Sequence, residues 1–125
     1  NSLLEKLVLK NDINGYISGY SHGMKQKLLL IGALIANPKI LILDEPMVGL
    51  DPKAQHTVKE LLSEHCLNGN SVFFSTHVLE VAEKVCNRVA IINKGEIITI
   101  GSLDEIRKKI GKDESLENIF LELTE

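Results

Sequence analysis

The chain has 125 residues, enough for one domain or less; 44% are apolar, but only 4% are aromatic and none is Trp, so any core is aliphatic. Fourteen basic and 17 acidic residues are interspersed for a net charge of −3, and no basic face of the kind nucleic-acid binders need is visible. The longest mostly apolar stretch, residues 28–36, is far shorter than the roughly 18–20 residues that cross a bilayer. Attachment to a membrane is therefore expected only through a partner.

Taken in chain order, Leu3, Leu4, Leu7 and Val8 suggest a short helix closed by the polar break from Asn11 to Gly15. Ser21 is placed to cap a helix running from about Gly23 to Ala36, apolar on most sides from Leu28 onward and so expected to be buried. Asn37-Pro38 ends it, because the residue before proline is pushed out of the α region. Ile40 to Leu43 is an apolar run without alternation, the pattern of a strand covered on both faces. Asp51-Pro52 supplies an N-cap and a proline at the first helical position, with Val58, Leu61 and Leu62 as that helix's apolar stripe. Val72 to Ser75 is a second short strand.

Leu79, Ala82, Val85 and Cys86 share a helical face, and Val89–Ile92 and Ile97–Ile100 form a hairpin around Asn93-Lys94-Gly95-Glu96. Ser102 with Glu105 makes a capping box for a helix from Leu103 to Ile110, and Ser115 caps a last helix. Alternating strands and helices define an α/β chain with a helical portion up to residue 37. Cys66 and Cys86 lack C-x-x-C or His spacing and read as reduced thiols of a cytosolic protein rather than a disulfide or metal site.

The most informative run is Ile40-Leu41-Ile42-Leu43-Asp44-Glu45-Pro46. It puts two carboxylates at the carboxyl end of a strand, where open α/β sheets bind their ligands. Such carboxylates are expensive to desolvate unless a cation, phosphate chemistry or hydrogen bonds engage them. By itself the pair reads equally as a surface acidic turn.

Its neighbours change the reading. Upstream lies Tyr20-Ser21-His22-Gly23-Met24-Lys25-Gln26; downstream lie Gly49-Leu50-Asp51-Pro52 and then Ser75-Thr76-His77, with His77 33 residues beyond Asp44. This ordered set resembles the ATP-binding subunits of ABC transporters. Residues 20–26 match the family's signature motif, 40–45 its Walker B strand, 48–51 its D-loop and His77 its switch histidine. The resemblance runs from about residue 1 to about residue 124. With the ending from Ser115 to Leu121, it looks most like the drug and polysaccharide exporter branch.

What the resemblance implies is an ATPase that uses ATP and Mg2+. Asp44 is then the magnesium-holding aspartate, Glu45 the residue that orients the attacking water, and His77 a donor to the γ-phosphate. Ser21 and Gly23 begin a helix that faces ATP held by a second nucleotide-binding subunit, and Asp51 reaches across the same dimer. Transmembrane permease subunits would complete the transporter and hold it at the inner face of the cell membrane. Tyr20, His22 and Met24 depart from the commonest Leu-Ser-Gly-Gly-Gln, which puts in question how tightly this helix start closes on phosphate. His22, His56 and His65 match no catalytic position and are expected at the surface, with a place lining the nucleotide interface as the alternative for His22.

A Gly-x-x-x-x-Gly-Lys-Ser/Thr phosphate loop does not occur in these residues. The expectation is therefore the C-terminal part of a longer ATPase domain, with residues 1–37 ending a helical subdomain and 38–125 belonging to the ATPase core. On this reading the 125 residues alone bind nucleotide poorly, and bare strand edges favour self-association. A non-transport relative that uses the same nucleotide dimer as a clamp, in DNA repair or translation, is the alternative.

Overall fold

The computed structural model describes residues 22–125. The expected short helix from Leu3 to Val8, the break that follows it, Tyr20 and Ser21 lie outside the described residues. The chain divides into two compact units, Asn1–Ser75 and Thr76–Glu125.

In the first unit, helix α1 (His22–Ile35) leads into strand β1 (Ile40–Asp44), helix α2 (Pro52–Leu67) and strand β2 (Ser71–Ser75). Asn37 ends α1 at a left-handed φ of 46°, its N–H donating to the Leu34 carbonyl, and Pro38 then prevents continuation. β1 and β2 are parallel, with Leu41 opposite Val72 and Asp44 opposite Ser75. α2 crosses between them and packs on β2, as a parallel pair requires. It begins where Asp51 Oδ1 accepts the Ala54 N–H at 2.7 Å and proline fills the first turn. Leu30, Ile31, Leu41, Met47, Leu50, Val58, Leu61 and Leu62 are buried.

Three expectations need correction here. β1 is covered on one face only: Leu41 is 5% exposed, but Ile40 is 67% and Ile42 72% exposed, and Phe73 on β2 is 66%. Unbroken apolarity records a capacity for burial on both faces, not the presence of a second cover. α1 likewise buries one face, through Leu30 and Ile31, and leaves Leu29 and Ile35 exposed. His65 is buried rather than superficial. Its Nε2 lies 2.8 Å from the Pro38 carbonyl, so a polar ring is satisfied inside the unit.

The second unit holds helix α3 (Leu79–Val85), the antiparallel pair β3 (Val89–Asn93) and β4 (Glu96–Gly101), and helices α4 (Leu103–Ile110) and α5 (Leu116–Thr124). Lys94 and Gly95 both take positive φ, as a two-residue type I′ hairpin loop demands. The Ser102–Glu105 capping box opens α4, and Ser115 caps α5 by accepting the Asn118 N–H. Ala82, Ile91, Ile106, Leu116 and Ile119 form this unit's core, with Cys86 packed against it. Arg107 ties the unit's surface together, donating to Glu83 Oε1 at 3.0 Å and to the Glu114 carbonyl at 2.8 Å.

Candidate nucleotide site

Because β1 and β2 run parallel and in register, their carboxyl ends emerge side by side, with Asp44 opposite Ser75. The Ser75 hydroxyl donates to Asp44 Oδ1. The Glu45 N–H donates to both the Ser75 carbonyl, at 3.1 Å, and Ser75 Oγ, at 3.2 Å. Glu45 itself sits at a left-handed φ of 47°, a conformation that costs a non-glycine residue of order 1–3 kcal/mol. Its backbone is over-determined: the N–H is fixed by Ser75, and the carbonyl accepts from Val48 N–H at 3.2 Å and from Gln26 Nε2 at 3.3 Å. The strand therefore stops abruptly at the acidic pair, and the chain turns twice through residues 45–50 before α2 begins.

Asp44 is exposed and Glu45 half-buried. A cavity of about 180 Å3 lies against this strand end, lined by Gln26, Leu29, Leu30, Ile42, Asp44 and Pro46, among others. One carboxylate steadied by one hydroxyl suits a magnesium ion, which takes one or two protein carboxylates and fills its shell with water and phosphate oxygens. No cluster of three or more His, Cys, Asp or Glu side chains that could enclose a metal occurs among the described residues.

Gly23 lies in the first turn of α1, against the loop before α2. A methyl group there would come within 2.6 Å of the Gly49 carbonyl oxygen, so only glycine fits. Gly49 has a φ of 79° and lies beneath the His22 imidazole. Asp51, two residues on, is the α2 cap. Thus Asp44, Glu45, Gly23 and Asp51 all belong to the first unit, around the end of β1. Ser21 lies outside the described residues. His77 is exposed, two residues beyond β2, at the start of the second unit.

Two residues of this strand end escaped the sequence reading: Ser75, which holds Asp44 and Glu45, and Gln26, which holds the Glu45 carbonyl. The signal for Ser75 was its place at the tip of a second short strand; Gln26 had none beyond its place in the signature segment.

Comparison with known proteins defines the class. A family model described as "AAA domain, putative AbiEii toxin, Type IV TA system" matches residues 3–83. The chain is 38% identical over 123 residues to the ABC-type transporter ATP-binding protein EcsA of Bacillus subtilis, covering 98% of this chain and 50% of that protein. It is 42% identical over 100 residues to the Nod factor export ATP-binding protein I of Rhizobium meliloti, covering 80% of this chain and 30% of that protein. A solved ATP-binding subunit of an ABC transporter superimposes with a TM-score of 0.95 at 35% identity, over 99% of this chain and 52% of that one. The ADP form of MJ1267, an ATP-binding cassette of an ABC transporter, shares the fold at a TM-score of 0.68, 24% identity and coverage of 96% and 47%.

The chain belongs to the AAA-domain family that this model describes, and its similarity to the relatives above marks it as part of an ATP-binding protein of the ABC-transporter kind. It spans 50% of EcsA and 30% of the Nod factor export protein. No helix among the described residues is long and apolar enough to cross a membrane.

Proposed function

We propose that this chain is part of a subunit that binds and hydrolyses ATP to drive an ABC transporter. The observation that carries the reading is the carboxyl end of β1: Asp44 held by Ser75, followed by Glu45 in a left-handed backbone fixed from both sides. Residues 1–37 end a helical subdomain and residues 38–125 belong to the ATPase core, a functional division distinct from the two compact units. Export is the favoured direction, by analogy with the Nod factor export relative.

Asp44 would hold Mg2+, which would supply neutralisation of the negative charge on the nucleotide's phosphates. Glu45 orients a water in line with the γ-phosphorus and takes its proton as the oxygen–phosphorus bond forms and the bond to ADP breaks. His77 donates a hydrogen bond to a γ-phosphate oxygen, lowering the cost of charge that builds there. Gly23, in the first turn of α1, offers its N–H to the γ-phosphate held by a second subunit, and Ser21 is assigned to the same contact by its place in the signature segment. Gly23 allows the close approach that a side chain would block. Asp51 contributes to the same dimer. Permease subunits place the assembly at the inner face of the membrane.

The test is metal dependence in the complete ATP-binding protein. Hydrolysis is expected to require Mg2+, and Asp44→Asn to raise the magnesium concentration needed for ATP binding. Magnesium-independent hydrolysis, or an unshifted requirement in Asp44→Asn, contradicts the assignment.

A further inference from the structure

We propose that His22 and Gln26 are a pair of positioning residues that clamp the segment from Glu45 to Gly49 against the first turns of α1, and so set the backbone from which the Glu45 carboxylate projects. The proposal rests on the functional reading above for what Glu45 does, but its geometry is independent of it.

Residues 22 and 26 are one helical step of four apart and share a face of α1. That face meets the turn segment at both of its left-handed positions. Gln26 Nε2 donates to the Glu45 carbonyl at 3.3 Å, where φ is 47°. His22 lies over Gly49, where φ is 79°; a methyl group there would clash with the imidazole, coming within 3.3 Å of Nε2 and closer still to Cδ2. Between these points the segment closes on itself, Val48 N–H donating to the Glu45 carbonyl and Leu50 N–H to the Met47 carbonyl. From the other side Gln55 Nε2 reaches the Leu50 carbonyl at 3.1 Å.

A left-handed glutamate persists only where its surroundings over-determine it. The helix that begins with the phosphate-facing residues thus also fixes the catalytic turn, and the two shift together. His22, which stands where the commonest signature motif has glycine, supplies a ring that glycine lacks.

Amide exchange of Val48 and Leu50 reads the clamp directly, with Asn68 N–H, bonded to the Glu64 carbonyl at 3.1 Å, as the reference in the same unit. Gln26→Met is expected to speed exchange at Val48 and Leu50 about fivefold, the fold-change equivalent to one ordinary hydrogen bond, and to leave Asn68 unchanged. His22→Ala is expected to act in the same direction at Leu50. In the complete ATP-binding protein, Gln26→Met is expected to lower kcat by a similar factor with the KM for ATP unchanged. Unchanged exchange at Val48 and Leu50 overturns the clamp. Faster exchange with unchanged kcat in a hydrolysing protein overturns its positioning role. Faster exchange in a protein that hydrolyses no ATP supports the clamp and overturns the functional reading instead.

Discussion

Ser75 and Asp44 are register partners on neighbouring parallel strands, and the Ser75 hydroxyl donates to the Asp44 carboxylate while accepting the Glu45 N–H. One hydroxyl therefore orients both members of the acidic pair. Ser75→Ala is expected to cost about 0.5–1.5 kcal/mol, the net worth of an ordinary hydrogen bond, with Ser75→Thr close to the wild type. Urea unfolding of the three proteins checks this, and equal midpoints for the wild type and Ser75→Ala would remove the serine's role.

The bare face formed by Ile40, Ile42 and Phe73 predicts self-association of the 125-residue chain. Each of these side chains is about two-thirds or more exposed. An apolar face beside an open strand edge invites a second copy. Light scattering is expected to show mass rising with concentration, and Ile42→Thr with Phe73→Ser to reduce that rise. A monomer at high concentration with cooperative unfolding contradicts the expectation.

Element positions were legible because their stop and start signals are chemical. Asp51-Pro52, Ser102 with Glu105, Ser115 and Lys94-Gly95 each impose a local backbone geometry without help from distant residues. The acidic pair at a strand's end was legible for the same reason. What covers a face was not. The apolar run at residues 40–43 and the helix from Leu28 looked suited to burial all round, yet each is covered on one side. His65 carries no local mark of its contact with the Pro38 carbonyl, which depends on α2 returning past the α1–β1 turn. Gln26 and Ser75 matter through helix facing and strand register, properties of the assembled unit.

Cys86 gives a pH prediction for the second unit. Burial raises its thiol above the ordinary value of 9.0. From about pH 9 upward the unfolded chain loses a proton that the folded chain retains, so stability present below the ordinary value declines as pH rises through the folded one. Urea midpoints are expected to fall over this range and to fall less steeply in Cys86→Ala. Identical slopes would show that the thiol does not contribute.

Glu45, in the proposed function, acts on the water that attacks ATP. Glu45→Gln keeps the side chain's shape and removes the basic oxygen, so the complete ATP-binding protein is expected to bind ATP as before and lose turnover by about 10²–10⁴-fold, the usual contribution of a positioned base. The measurement is single-turnover hydrolysis of pre-bound ATP in the wild type and Glu45→Gln. ATP retained intact in the variant is the result predicted; hydrolysis at more than about a tenth of the wild-type rate would contradict the assignment.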